Sequence, residues 1–381
     1  MVESLKMKPL NIAIIDPVGR KAGLDHYDVS LAAALKNQSC RVNVYSNFED
    51  SKNESFVKKH FHLSIKKSLL NSFNLIIKYL SVLIKSRYDK TEIVIIHLFH
   101  SSFFDYFLIY LTHLFGFRIC LIIHDVENLL DESRKSWIQK CSHLSTYIVV
   151  HNIVSYDELS KKITSYEKEK VFIIPHGNFI GLKEITNKVE TLKYFSLDSN
   201  KVYLLFFVMI KKSKRLDVLI KALKDIPANV HLIIAGRTRN VSFNHYEKMI
   251  SKWDLSDRVH PLIRYISNDE RNKLFNFSDL AILPYQKIYQ SGVMLMAMSY
   301  GLPVIASDLP ANKLIIDEKN GILFKEGNSS DLASKINEII NDDQKRKTIS
   351  ENAKEYVKLN NDWEKIGSQY LKMFLTTQTT K

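Results

Sequence analysis

The sequence predicts an α/β protein of two domains, each a parallel sheet covered by helices on both faces. Three observations carry that expectation. Short apolar runs rich in Val, Ile and Leu recur along the whole chain, as in strands buried on both faces. Helical stretches separate most of them, which is the alternation of βαβ units. The length of 381 residues exceeds what one ordinary core fills.

In the first half the strand-like runs are Asn11–Ile15, Arg41–Tyr45, Ile93–His97, Ile119–Ile123, Tyr147–Val150 and Val171–Ile174. In the second half they are Tyr203–Phe207, His231–Ala235, His260 with its neighbours, Leu280–Leu283, Val304–Ala306 and Gly321–Phe324. Helical patterns such as Tyr27–Lys36 and Leu216–Leu223 lie between them. The polar stretch Gly181–Asn200 breaks the series and sets the domains at 1–182 and 183–361. A last helical pattern, WEKIGSQYLKMF at 363–374, comes after the second domain. Val293–Met298 is helical because Met, Leu and Ala are strong helix formers. Gly301 suits the position just past its end, and Pro303 stops it from resuming. Its start at Ser291-Gly292 offers free N–H groups and a positive dipole end, either a phosphate seat or a plain cap.

Composition narrows the class. Hydrophobic residues at 45% and charged residues at 25% describe a folded chain rather than a disordered one. Cys40, Cys120 and Cys141 are far apart, which supports neither a disulfide framework nor a zinc site and fits a reducing cytoplasm. The start MVESLKMKPLNIAIID carries acids and runs straight into a strand, unlike a signal peptide. The net charge of +13 is uneven, with nine Lys or Arg against two acids in residues 51–90. Phe73, Ile76, Ile77, Leu80 and Ile84 share helical spacing there. They fit either a basic amphipathic helix on an anionic membrane surface or a core-facing helix with a solvated Lys face. No nucleic-acid motif accompanies the charge, so no nucleic-acid partner is expected. The apolar segment 103–123 is interrupted by Asp105, His113 and Arg118, so it is expected inside a globular domain rather than across a membrane.

Ligands of open α/β sheets collect at the carboxyl ends of strands, and the residues there are polar. The first strand ends in DPVGRKAGLDHY, where Gly19 and Gly23 form a structural turn or a substrate loop. Later strand ends supply His97, His100, His124 with Asp125, and His176. In the second domain the strand ends are VMIKKSKRLD, AGRTR and LPYQKIYQSG, a cationic rim that suits a diphosphate. No Asp-x-Asp stands where a metal-dependent transferase needs it, and His97 and His100 lack a third ligand, so no metal or other cofactor is expected.

These segments together resemble the two-domain glycosyltransferases of the GT-B fold, particularly retaining family 4 and its bacterial polysaccharide branch. LFFVMIKKSKRLDVLIKA is similar to that family's first strand, loop and helix of the donor domain. The resemblance assigns Lys211 and Lys214 to the pair that grips the donor diphosphate. IIAGRT, with Gly236 and Arg237, resembles the turn under the nucleoside, and RYISNDERNKLFNFSDLAILPY, with Tyr265 and Ile266, the edge that holds the base. LPYQKIYQSGVMLMAMSYGLPVIAS, with Tyr285, Ser291, Gly292 and Val293, resembles the donor loop and helix. IIPHGNF, with His176, Gly177 and Asn178, is similar to the segment at the end of the acceptor domain. WEKIGSQYL resembles the closing helix, so 362–381 is expected to return to the first domain. The implied architecture is two Rossmann-like domains facing across a cleft.

The resemblance implies transfer of a hexose-type sugar from a UDP- or GDP-sugar to a hydroxyl of a glycan or lipid-linked acceptor. With retention, the leaving phosphate oxygen takes the acceptor proton while Lys211 and Lys214 stabilise the charge. His124 and Asp125 are then catalytic candidates near the sugar or its phosphate. With inversion a general base is needed, and Asp125, Asp16 or His26 are candidates. The sequence departs from the family pattern at four places. The usual Glu pair falls at Ile288 and Met296, and Val208 and Arg215 stand where Gly is usual. A catalytically silent partner subunit and a sugar-nucleotide epimerase are the alternatives. A cytoplasmic location is expected, at the inner face of the membrane if the basic region docks there.

Overall fold

A computed structural model of the chain describes residues 8–19, 24–49, 54–61, 69–99, 101–124, 126 and 135–376. The chain divides into two compact units, one of 1–177 with 361–381 and one of 178–360. In the first unit, strands β1 (Asn11–Asp16), β2 (Arg41–Ser46), β3 (Val57–Lys59), β4 (Ile93–Leu98), β5 (Arg118–Ile123), β6 (Tyr147–Val150) and β7 (Val171–Ile173) form one sheet. Their order is β3-β2-β1-β4-β5-β6-β7, and every pairing is parallel. In the second unit, β8 (Val202–Phe207), β9 (Val230–Ala235), β10 (Val259–Leu262), β11 (Leu280–Leu283), β12 (Val304–Ser307) and β13 (Ile322–Phe324) do the same. Their order is β10-β9-β8-β11-β12-β13, again all parallel.

Strands β1, β6, β9, β11 and β12 are buried at every residue, which is why they read as continuous apolar runs. Strand β3 is different. Its Val-Lys-Lys is partly exposed and carries no apolar run. Backbone pairing forms it at the sheet edge, where the Val44 N–H donates to the Phe56 carbonyl and the His60 N–H to the Ser46 carbonyl, both at 2.8 Å.

Residues 178–182, expected in the first domain, pack with the second unit instead. Phe179 enters that unit's core, its N–H donates to Ser299 Oγ at 2.9 Å, and Tyr300 Oη donates to the Leu182 carbonyl at 3.1 Å. Composition does not mark this boundary, because the apolar anchor comes before the polar stretch begins. Asn361, expected in the second domain, joins the first unit by donating to the His176 carbonyl at 2.7 Å. The final helix, Trp363–Thr376, lies in the first unit on helix Asp25–Asn37. There Tyr27 Oη and Tyr370 Oη are 3.1 Å apart, and Asn37 Nδ2 donates to Glu364 Oε1 at 2.6 Å.

The basic helix Leu69–Tyr88 turns Tyr79, Val82 and Leu83 into the core. Phe73 (66% exposed), Ile77 (50%), Ile84 (62%) and Tyr88 (87%) form a stripe on another face. The apolar spacing seen in sequence is therefore mostly not the core-facing one; of its five residues, only Ile76 and Leu80 are partly buried. Segment 103–123 resolves into helix Phe103–Leu114 and strand β5, and no helix among the described residues is long and apolar enough to cross a membrane.

Gly177 marks how tightly the final helix closes on this unit. A Cβ there would lie 2.1 Å from the Trp363 ring, which has no flexible end to move aside. Gly177→Ala should cost about 1–3 kcal/mol by overpacking. Urea unfolding measures it, and an unchanged midpoint would mean that Trp363 does not seat against Gly177.

Candidate functional site

A parallel sheet of this order has one pair of adjacent strands whose chains lead away in opposite directions, and a crevice opens at their carboxyl ends. In the second unit that pair is β8 and β11. The loop after β8 carries Lys211 and a tight turn over Lys212–Lys214, closed by the Lys214 N–H donating to the Lys211 carbonyl at 3.0 Å. The loop after β11 is tied to it, since the Gln286 N–H donates to the Ser213 carbonyl at 2.9 Å. Lys214 Nζ sits 3.7 Å from the centre of the Tyr285 ring, a cation–π contact against a buried aromatic. Burial pushes the Tyr285 hydroxyl's pKa up, so it stays protonated. Lys211 is half-buried, and among the described residues its ammonium has no ion-pair or hydrogen-bond partner.

Helix Gly292–Tyr300 begins at the same rim. Ser291 is its cap, with Oγ accepting from the Met294 N–H at 3.2 Å. The Leu295 N–H reaches the Ser291 carbonyl at 3.3 Å. Among the described residues the N–H groups of Gly292 and Val293 have no protein acceptor, so Ser291 caps one donor and leaves two for an anion. Cap and anion seat are thus compatible roles.

Gly236, after β9, has φ +138°, and a Cβ would lie 2.0 Å from the Val208 carbonyl oxygen. Only glycine lets the ends of β8 and β9 close this far. Next to it the Arg237 guanidinium lies 5.1 Å from the centre of the Tyr265 ring, which is half exposed. Ile266 is packed on the core. Ile288 and Met296, at the positions of the usual acidic pair, are partly buried against the core as well. Arg215, which stands where glycine is usual, adopts the left-handed backbone with φ +50°. Its guanidinium pairs with Asp217 at 3.0 Å and Glu326 at 3.4 Å, which offsets the strain that glycine would avoid.

In the first unit the corresponding pair is β1 and β4, and a row of histidines runs along the strand ends from there. Asp28 Oδ1 is 2.7 Å from His97 Nε2, His97 Nδ1 is 2.8 Å from His124 Nε2, and His124 Nδ1 is 3.2 Å from His151 Nε2. The row ends where His151 Nδ1 donates to the Ile174 carbonyl at 3.0 Å. Tyr27 lies against all of them, with His97, His124, His151 and His176 packed around its ring at 5.0–5.9 Å. Burial pushes His151 down to about 4 and His176 to about 3, and holds His97 and His124 below the usual range. Burial raises Asp28 to about 8; Asp16 rises to about 7 through burial and then through the Asp28 charge.

Both ring nitrogens of His124 are engaged by other histidines, so neither is left for a ligand while the row is intact. Asp16 lies at the end of β1, 2% exposed, with Oδ1 accepting from the Val18 N–H at 2.9 Å. Gly19 is a structural turn, for φ is +39° and a Cβ would strike Ser46 Oγ at 2.3 Å. His26 contacts Ser30 at 3.3 Å, and His176 Nδ1 donates to the Gly177 carbonyl at 2.7 Å. Asn178 turns to the second unit, donating to the Val357 carbonyl at 3.3 Å. Gly23, His100 and Asp125 lie outside the described residues. No metal-binding cluster occurs among the described residues. Sequence reasoning missed Asp28 and His151; the signal was a histidine at or just after the ends of four successive strands, β4 to β7.

Residues 189–356 match the family model described as "Glycosyl transferases group 1". An uncharacterized glycosyltransferase of Methanocaldococcus jannaschii is 33% identical over 162 residues, 42% of this chain and 44% of that protein. The poly(ribitol-phosphate) alpha-N-acetylglucosaminyltransferase of Staphylococcus aureus is 24% identical over 84% of this chain and 62% of its own length. The chain thus spans roughly half the length of the curated glycosyltransferases it matches. Among solved structures, Anabaena HepE in complex with UDP and glucose aligns with a TM-score of 0.74 at 17% identity, covering 96% of this chain and all of that one. The pair of Rossmann-like units is the GT-B fold of those glycosyltransferases.

The left-handed position in the β8 loop separates two substitutions. Arg215→Ala keeps the backbone strain and loses both ion pairs, whereas Arg215→Gly loses the pairs and relieves the strain. The glycine variant should be more stable than the alanine variant by about 1 kcal/mol. Denaturant midpoints measure the difference, and equal midpoints would show that Arg215 is not held left-handed.

Proposed function

We propose that the chain is a metal-independent glycosyltransferase that moves a hexose-type sugar from a UDP- or GDP-sugar to a hydroxyl of a glycan or lipid-linked acceptor. The observation that carries this reading is the half-buried Lys211 ammonium, without a protein partner among the described residues, on the same rim as the unpaired N–H groups of Gly292 and Val293. A half-buried cation beside a helix start is an unfinished electrostatic site that an anionic diphosphate completes. Lys214, steadied over Tyr285, adds a second positive charge. Arg237 and Tyr265 offer a flat surface for the base. The family of residues 189–356 and the UDP held by HepE support the same ligand class.

In the reaction the bond between the anomeric carbon and the phosphate oxygen breaks, and the electron pair leaves with the nucleoside diphosphate. Lys211, Lys214 and the helix N–H groups stabilise that charge as it develops. With retention, the leaving oxygen takes the proton of the acceptor hydroxyl on the same face. Ile288 and Met296 offer no carboxylate to the ribose hydroxyls, so other side chains or backbone groups must hold the ribose. That pair is also what favours a binding-only partner subunit as the second reading. Binding of nucleotide sugar without release of nucleotide or transfer of sugar would select it.

Thermal-shift measurements with UDP-, GDP- and ADP-sugars test the ligand. A ligand at a hundred times its Kd stabilises by about 2.7 kcal/mol. That shift is expected with a UDP- or GDP-sugar and should vanish in Lys211→Ala/Lys214→Ala. No shift with any nucleotide sugar would overturn the transferase reading.

The exposed stripe Phe73, Ile77, Ile84 and Tyr88, flanked by Lys78, Lys85 and Arg87, is the surface proposed for peripheral contact with an anionic membrane carrying the acceptor. Sedimentation with vesicles containing an anionic phospholipid should fall in Ile77→Glu/Ile84→Glu while nucleotide-sugar shifts persist. Equal sedimentation of both proteins would remove the membrane role.

A further inference from the structure

The histidine row in the first unit has a direction, and one backbone atom sets it. A carbonyl only accepts, so His151 Nδ1 carries the hydrogen that reaches the Ile174 oxygen. In a neutral ring His151 Nε2 is then an acceptor, and the hydrogen between it and His124 belongs to His124 Nδ1. The same step makes His124 Nε2 an acceptor for a hydrogen on His97 Nδ1. His97 Nε2 is left as an acceptor facing Asp28 Oδ1. That last contact needs one proton, on Asp28 as an acid or on His97 as an imidazolium. Any ring that reversed its tautomer would set two lone pairs or two N–H groups against each other in a buried site.

We propose that Asp28, His97, His124 and His151 form a one-way hydrogen-bonded chain that holds a single proton on Asp28 and so leaves Asp16 as the carboxylate of that corner. Burial acts in the same sense, raising Asp28 and lowering His97. Asp16 and Asp28 meet through their side chains, within hydrogen-bond reach of each other, and charge on Asp28 works against charge on Asp16. A proton on Asp28 removes that repulsion. Asp16 lines a cavity of about 200 Å³ walled by Leu75, Ile96, Phe104 and Leu108. Asp28 and the three histidines are positioning residues that act through Asp16, which shares the cavity wall with His97 and Asp105. The other titratable groups around the chain are Asp25 and His26 on the Asp28 helix, Tyr27 beneath the rings, His176 after β7 and Tyr370 on the final helix. The inference goes beyond the transferase reading and does not depend on it.

Long-range 1H–15N correlation spectra of the full chain labelled on histidine, recorded at pH 7, test it directly. His97, His124 and His151 should all appear as Nδ1–H tautomers, the reverse of the form free histidine favours. An Nε2–H tautomer at any of the three, or an imidazolium at His97, would overturn the proposal. Asp28→Asn supplies an amide N–H in place of the acid O–H, so all three tautomers and the titration midpoint of the Asp16 carboxyl signal should be unchanged. A lower Asp16 midpoint in that variant would show that Asp28 is charged in the native protein, which also overturns it.

Discussion

A parallel sheet grows from its middle. Right-handed crossovers carry the chain outward to one side, and it must then return to the centre and build the other side. Wherever it does so, two neighbouring strands send their loops apart, and no backbone fills the space between them. Strand pairs β1/β4 and β8/β11 are that place in the two units. The polar residues of both candidate sites lie at or near the ends of these strands and their neighbours. The burial of both sheet faces holds the strand ends rigid, so loops as short as that of Lys211 to Lys214 keep their shape.

Much of this was legible because parallel strands buried on two sides leave a plain trace of Val, Ile and Leu. Strand β3 left none, since edge pairing is a backbone matter and its lysines face outward. The loops bearing Lys211, Lys214 and Ser291 were legible as basic or capping residues at strand and helix ends. The row of Asp28, His97, His124 and His151 was not. Its members come from a helix and three strands, and only the stacking of strand ends brings them into line. The apolar stripe of helix Leu69–Tyr88 shows the opposite hazard, where helical spacing was real but did not say which face was buried.

The two units differ in the charge they concentrate. The second gathers the cations Lys211 and Lys214 beside N–H donors of Gly292 and Val293 that have no protein acceptor among the described residues. The first gathers imidazoles and carboxyl groups, whose charged forms burial disfavours. A substitution such as arginine in the left-handed position of the β8 loop is tolerated because nearby acids restrain it, so departures from a familiar motif need not change the backbone the motif describes.

The division of the chain also bears on its synthesis. Residues 178–360 make up one compact unit, whereas the first unit includes Trp363 and Tyr370, which pack on Gly177 and Tyr27. Chains emerge from the ribosome N-terminus first, and domains fold as their residues become complete. The unit translated earliest is therefore the last to close. Until the final helix arrives, the aromatic floor beneath the histidine row stays open to water on one side.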